Sequence, residues 1–309
     1  MSLAGLLEPH ATVTVAGLAK NAGKTTVMNH LLASLEGPFG LASLGLDGEA
    51  RDQLTGLAKP RVRPPAGALV ATAEGLAGDA RVRARLGIRT SVGEVVLVES
   101  TGEPVIVSGP ARLDELDRTL DALRGLGVRR ILLEGALGRL GTAAPGRADA
   151  VVLAAGASLA NGPDDYPLRV KLALDALDLP CTTEPADVTV RHAAGFEEET
   201  AALVPAGGSA ELQGALTGPL LERLLLAGTR CTLVVADATR VLARPQQVAR
   251  ARRGGVEVLA RRPLAIAAVT SSPFHPDRPL DPGEAFSALC DAAAGRWPVV
   301  DVDSGRISN

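Results

Sequence analysis

The chain has 309 residues and a net charge of −3, and this length allows one large α/β domain or two smaller ones. It contains only one Trp, one Tyr and four Phe, so its core must be aliphatic, as in buried parallel strands covered by helices. Acidic and basic residues nearly balance. This excludes the strongly basic field that nucleic-acid binding usually requires, and we expect small-molecule and protein partners instead.

The cysteines and the apolar runs indicate the compartment. Cys181, Cys231 and Cys290 are far apart and odd in number, which fits neither a disulfide framework nor a CxxC metal site. The four histidines are scattered without metal-ligand spacing. The chain opens with no secretory signal pattern, and its apolar runs are too short to span a bilayer. We therefore expect a cytoplasmic protein without a membrane segment.

Apolar runs bounded by turn residues alternate with segments of helical period, which predicts an α/β fold with a mostly parallel sheet and crossover helices. The first run, over residues 12–16, is followed by a glycine-rich turn and a helix over about residues 24–35. A second strand is predicted over residues 39–45. One face of the first helix carries Val27, Met28, Leu31, Leu32 and Leu35.

The middle of the chain has a different character. Between residues 59 and 108, short apolar runs are separated by Gly and Pro with little helical period, and we predict a β-hairpin insertion that extends the sheet. A helix is predicted from Pro110, with leucines at three- and four-residue steps. Strands over residues 130–133 and 150–154 follow.

Beyond about residue 187 the alternating pattern restarts, which predicts a second, smaller α/β unit. We place the domains at residues 1–186 and 187–309, with one continuous sheet as the alternative. The elements predicted for the second unit are strands over residues 201–204, 231–236, 264–269 and 298–302 and helices over residues 216–226, 246–253 and 284–293.

The strongest functional signal is the run Gly17-Leu18-Ala19-Lys20-Asn21-Ala22-Gly23-Lys24-Thr25-Thr26, which lies between a predicted strand and a predicted helix. This context is typical of a P-loop, in which backbone N–H groups and the helix dipole bind nucleotide phosphates. We predict that Lys24 bridges the β- and γ-phosphates of ATP and acts in catalysis, and that Thr25 ligates Mg²⁺. The other predicted nucleotide contacts are Gly17, Lys20, Asn21, Ala22, Gly23 and Thr26.

Two acidic positions follow predicted strands. Glu134 ends the apolar run Ile131-Leu132-Leu133, where P-loop proteins keep the acid that holds Mg²⁺ through a water or orients the attacking water. We predict that Glu134 is catalytic and metal-associated. Asp47 follows the strand after the P-loop helix and is predicted as a metal ligand, with Glu49 as the alternative. For these acids, a solvated turn residue is the competing interpretation.

The loop resembles known P-loop proteins. Five residues rather than four separate Gly17 from Gly23, and this spacing, with the strand ending Glu134-Gly135-Ala136, resembles dethiobiotin synthetases, in the group that includes dimeric MinD-like ATPases. MinD-type proteins carry a second lysine five residues before the P-loop lysine, which reaches across the dimer. That position is Ala19 here. Lys20 is therefore either a phosphate contact or a solvated lysine, and a homodimer is left open.

Taken together, this loop, the Gly-Leu-Asp-Gly-Glu run of residues 45–49, the Lys-Pro-Arg-Val run of residues 59–62 and Glu134-Gly135-Ala136 resemble the P-loop subunit of the lysine 5,6-aminomutase reactivase. The resemblance covers roughly the first 150 residues. It implies a P-loop NTPase fold and an ATPase that, with ATP, Mg²⁺ and a MutS-like companion ATPase, restores an aminomutase dependent on adenosylcobalamin and pyridoxal phosphate.

Two other functions are left open. One is an ATP-dependent small-molecule ligase or kinase resembling dethiobiotin synthetase, and the other is a nucleotide-binding scaffold that does not hydrolyse ATP. The sequence has no Asn-Lys-x-Asp guanine box, which favours ATP over GTP.

Overall fold

The computed structural model describes residues 2–45 and 61–308. These residues form an α/β protein with a large, mostly parallel mixed sheet, which confirms the predicted fold class at that level. In chain order the strands are β1 (Thr12–Gly17), β2 (Phe39–Ser43), β3 (Leu69–Ala73), β4 (Arg81–Thr90), β5 (Gly93–Glu99), β6 (Arg130–Ala136), β7 (Ala150–Gly156), β8 (Val188–His192), β9 (Ser209–Gly214), β10 (Cys231–Val235), β11 (Val256–Ala260), β12 (Ile266–Ser272) and β13 (Val299–Asp301).

One short helix precedes β1, and the other helices lie between strands in chain order, as expected for crossover connections. In chain order they are α1 (Leu3–Leu7), α2 (Lys24–Ser34), α3 (Leu113–Gly125), α4 (Tyr166–Leu177), α5 (Glu197–Leu203), α6 (Gly218–Leu226), α7 (Pro245–Arg253) and α8 (Pro282–Ala293). In the part of the chain that the structure describes, no helix combines the length and the apolar composition that crossing a membrane needs.

The chain divides into two compact units, Met1–Pro167 with Ile266–Asn309, and Leu168–Ala265. The large sheet of the first unit has the strand order β13-β12-β7-β1-β6-β2-β3-β5-β4. The strands from β13 to β3 are parallel, and β1 lies between β7 and β6. The carboxyl ends of β1, β6 and β7 therefore meet at one edge of the sheet.

Helices cover both faces of this sheet. Consecutive residues of β6 enter different core clusters: Leu132 packs with Met28 and Leu31 of α2, whereas Leu133 packs with Leu120 of α3. Because side chains alternate between the faces of a strand, α2 lies on one face and α3 on the other. The predicted apolar face of α2 is buried at Val27, Met28, Leu31 and Leu32.

The predicted β-hairpin extension is present as β4 and β5. β5 pairs antiparallel with both β3 and β4, and β4 is exposed along most of its length. The predicted helix from Pro110 begins later, at Leu113.

The second unit contains a separate parallel sheet with the order β11-β10-β9-β8. Residues 201–204 were predicted as a strand, and this prediction is wrong, because residues 201–203 lie in α5. Three glutamates in the first turn of α5, Glu197, Glu198 and Glu199, favour a helix because negative charge is stabilised at a helix N-terminus.

The compact units differ from the predicted domains, 1–186 and 187–309. The cause is β12, which follows the second sheet in sequence but pairs in parallel with β7 of the large sheet, with β13 beside it. Residues 266–309 therefore belong to the first unit, and the second unit is an insertion between the neighbouring strands β7 and β12.

Candidate functional site

The loop between β1 and α2 makes a sharp turn at the carboxyl edge of the large sheet. β1 is buried along its whole length, and α2 begins at Lys24. Asn21 and Gly23 both have left-handed backbone conformations, with φ of 62° and 95°. Glycine adopts this conformation without steric cost, and asparagine is among the side chains that tolerate it. These two residues turn the chain directly before the helix.

The side chain of Lys24 runs back over the start of this loop. A Cβ atom built on Gly17 would lie 2.9 Å from Cγ and 3.0 Å from Cδ of Lys24. Any side chain at position 17 would therefore displace the lysine stem. The absence of a side chain at Gly17 is what lets Lys24 take this path.

The ammonium group of Lys24 forms an ion pair with Glu134. Glu134 lies on β6, in register with Val15 of β1, and its Oε1 is 3.8 Å from Nζ of Lys24. The two side chains expose only 14% and 7% of their surface. Burying a carboxylate to this extent costs free energy unless its charge is paired. At this edge of the sheet, the positive charge of Lys24 and the negative charge of Glu134 offset each other.

The first turn of α2 carries Lys24, Thr25 and Thr26 and no acidic residue. The N–H groups of a first helical turn have no acceptor within the helix, and the helix dipole makes this end positive. Gly23, at the N-cap position, has no side chain that could accept hydrogen bonds from these N–H groups. The turn and Lys24 together suit an anion such as a phosphate.

The side chains present also fit magnesium. The Thr25 hydroxyl and the Glu134 carboxylate are hard oxygen donors, and Mg²⁺ is usually held by one or two carboxylates, substrate phosphates and waters. Within residues 2–45 and 61–308, no group of three or more His, Cys, Asp or Glu residues could hold a metal ion. A magnesium ion at this site would be held by Thr25 and Glu134 together with phosphate oxygens and waters. The predicted ligand Asp47, its alternative Glu49 and the first two residues of the Lys-Pro-Arg-Val run lie outside the described residues.

The other predicted nucleotide contacts lie on the same loop. Lys20 is exposed, Ala22 is buried, and Asn21, Thr25 and Thr26 are half-buried. The structure thus brings together the predicted residues from Gly17 to Thr26 with Glu134.

Residues at the ends of β7 and β12 also contact this loop, and no sequence motif marks them. Ser158, in the turn after β7, donates a hydrogen bond to the carbonyl oxygen of Lys20. Ser272, the last residue of β12, lies against Gly23. The sequence signal for Ser158 was its position directly after a predicted strand, but only the strand order shows that this strand lies beside β1.

A second polar cluster lies in the smaller unit around the buried His192. Its Nδ1 is 2.9 Å from the hydroxyl of Thr200 and its Nε2 is 3.1 Å from the hydroxyl of Thr217. Burial lowers the pKa of His192, and the nearby Glu197 carboxylate opposes this effect in part. Because both ring nitrogens are engaged, the histidine links β8 to α5 and to the start of α6, and we assign it a structural role.

Comparison of the chain with protein-family models, with curated proteins and with solved structures gives no match in any of the three.

Proposed function

We propose that the β1–α2 loop is a P-loop that binds the phosphates of ATP together with Mg²⁺, and that the chain hydrolyses ATP. The observation that carries this proposal is the arrangement of Lys24. It is the first residue of α2, its stem crosses Gly17, and its ammonium lies 3.8 Å from the Glu134 carboxylate. A cation, a helix N-terminus and an acid at the carboxyl edge of a parallel sheet are groups that P-loop NTPases use in phosphoryl transfer.

The proposed chemistry depends on positioning and electrostatics. Phosphoryl transfer develops charge on the phosphate oxygens, and fixed positive groups stabilise that charge. Lys24 and the first-turn N–H groups of α2 would contact these oxygens, and the Thr25 hydroxyl would hold the metal. Glu134 would orient the attacking water or hold a metal-bound water. Mg²⁺, held by Thr25 and Glu134, would supply additional positive charge that stabilises the phosphate oxygens.

We further propose that hydrolysis drives a conformational change in a partner enzyme, with a MutS-like companion ATPase and a cobalamin-dependent aminomutase as the expected partners. The support is the resemblance of the sequence motifs in the first half of the chain. The competing function is a small-molecule ligase or kinase, favoured by the loop spacing and by the Glu134-Gly135-Ala136 strand ending. A partner-driven ATPase is expected to be slow alone, because its competent state is only partly populated until the partner binds.

Phosphate release measured at steady state tests these proposals. We expect slow, Mg²⁺-dependent release by the wild type, loss of release in Lys24→Ala and Thr25→Ala, and stimulation by the aminomutase and its companion. Release that persists unchanged in both variants would contradict hydrolysis at this loop. Stimulation by a small acceptor alone, with a phosphorylated or ligated product detected by mass spectrometry, would instead select the ligase or kinase.

A further inference from the structure

The β1–α2 loop is braced by the strand next to β1. β7 pairs with β1 in parallel, with Gly17 opposite Ala154. Just beyond this pairing, the N–H of Leu18 donates to the carbonyl oxygen of Ala154 at 2.9 Å. Four residues later, the Oγ of Ser158 donates to the carbonyl oxygen of Lys20 at 2.7 Å. The loop is therefore attached to the end of β7 at two successive points.

Near these two points the backbone of the loop and the backbone of the turn after β7 are in close contact. A Cβ atom on Gly156 would lie 2.8 Å from Cα and 3.2 Å from the carbonyl carbon of Ala22. The φ of Gly156 is −96°, so space, and not backbone conformation, requires glycine here. This contact brings the turn after β7 close enough for Ser158 to reach Lys20.

The hydrogen bond from Ser158 fixes a whole peptide group. The peptide between Lys20 and Asn21 is planar and trans, so its C=O and N–H point in opposite directions. Holding the Lys20 carbonyl toward Ser158 therefore turns the Asn21 N–H away from the β7 turn. Asn21 has a left-handed φ of 62°, and a non-glycine residue keeps such a conformation only when its surroundings favour it.

We propose that Ser158 is a positioning residue of the nucleotide site: its hydroxyl fixes the Lys20–Asn21 peptide in the orientation that phosphate binding uses. This inference rests on the proposed function, because it concerns the same loop. Ser158 acts through the Lys20 carbonyl, four residues before Lys24. Removing its hydroxyl should therefore weaken ATP binding and leave the rate of the bound complex nearly unchanged.

The test measures the Kd for ATP with Mg²⁺ by calorimetry and steady-state kinetics for Ser158→Ala, Ser158→Thr and the control Ser304→Ala. Ser304 also donates an exposed hydrogen bond, to Asp301. We expect Ser158→Ala to raise Kd and KM about two- to tenfold, the range of one hydrogen bond, with kcat within about twofold, as for lost uniform binding. Ser158→Thr should restore affinity because it keeps the hydroxyl, and Ser304→Ala should match the wild type.

Wild type and Lys24→Ala are measured in the same series, so that failure of the Ser158 positioning role can be distinguished from failure of the proposed function. If Lys24→Ala loses ATP while Ser158→Ala binds like the wild type, the positioning role is wrong and the proposed function stands. If Ser158→Ala lowers kcat and leaves KM unchanged, the positioning role is also wrong. Equal affinity in wild type and Lys24→Ala would overturn the proposed function and this inference with it. Circular dichroism melts of each variant confirm folding.

Discussion

Nζ of Lys24 and Oε1 of Glu134 lie 3.8 Å apart, on side chains that expose only 14% and 7% of their surface. The contact joins the first residue of α2 to the strand beside β1. Removing one partner takes this contact away from a charge that is largely buried, and such a change is usually costly. The same two residues carry the proposed catalytic roles, so binding and stability are linked at this site.

A double-mutant cycle should detect this dependence. We expect Lys24→Met and Glu134→Gln each to lower the free energy of unfolding, and the double variant to lose less than the sum, with a coupling of about 1–3 kcal/mol. Urea titrations of the four proteins measure it. The exposed pair Arg112 and Asp114 is the control and should show no measurable coupling. Additive effects of Lys24→Met and Glu134→Gln would show that their contact contributes nothing.

Glu134→Gln should separate nucleotide binding from turnover. The amide keeps the shape of the side chain and loses its charge, so we expect ATP affinity within several-fold of the wild type and a strongly reduced kcat. Turnover at saturating ATP and Mg²⁺ is the measurement. An unchanged kcat would remove Glu134 from the proposed catalytic step.

Arg130 should be a stability residue of the large sheet. Its guanidinium donates hydrogen bonds to the carbonyl oxygens of Leu7, Glu8, His10 and Glu36 at 2.9–3.1 Å. We expect Arg130→Ala to lower the free energy of unfolding by about 2–4 kcal/mol. Arg130→Lys should lower it less than Arg130→Ala but should not reach the wild-type value, because an ammonium cannot reproduce the planar set of donors.

The neighbouring arginine provides the control for this prediction. Arg129 is exposed, and Arg129→Ala should change the free energy of unfolding little. Equal effects of the alanine variants at positions 129 and 130 in thermal melts would contradict a special role for Arg130.

The stability of the smaller unit should fall on mild acidification. Burial lowers the pKa of His192 from its ordinary value of 6.5, so the folded state favours the neutral ring. The contribution of the neutral ring to the free energy of unfolding is fully present above the pKa that His192 has in the unfolded chain. It is lost as the pH falls through the lower pKa of His192 in the folded protein. The carboxyl pKa values of Glu197 and Asp187 are also lowered, so these groups titrate in a more acidic range.

Thermal melts between about pH 7.5 and about pH 5.5 test this, because unperturbed histidine titrates within that interval. We expect the wild type to lose melting temperature on acidification, and His192→Gln to start lower and to depend less on pH. The same pH dependence in both proteins would assign the effect to other groups.

Local sequence signals predicted the elements around the site closely. The strand predicted over residues 12–16 is Thr12–Gly17, and the helix predicted over residues 24–35 is Lys24–Ser34. The strand ends at Gly17, and the helix has an apolar face and lies between Gly23 and Gly37, so local signals were enough to predict both elements. Glu134 was found in the same way, from an apolar run that ends in an acid.

The remaining features depend on contacts that are distant in sequence. Ser158 and Lys20 are 138 positions apart, and they meet only because β7 is placed beside β1. The pairing of β12 with β7 of the large sheet also cannot be predicted from the residues of β12, because their pattern is that of any apolar strand. Hydrophobic period predicts that a strand exists, but it does not predict its neighbours.

Calorimetric titration of ATP with Mg²⁺ into wild type, Lys24→Ala and Lys171→Ala tests the central claim most directly. Lys171 is an exposed lysine on α4 paired with Asp175, so its variant controls for the loss of one positive charge. We predict saturable binding by the wild type and by Lys171→Ala, and loss of most of that binding in Lys24→Ala. Equal affinity in all three proteins would contradict the claim that the β1–α2 loop binds the nucleotide.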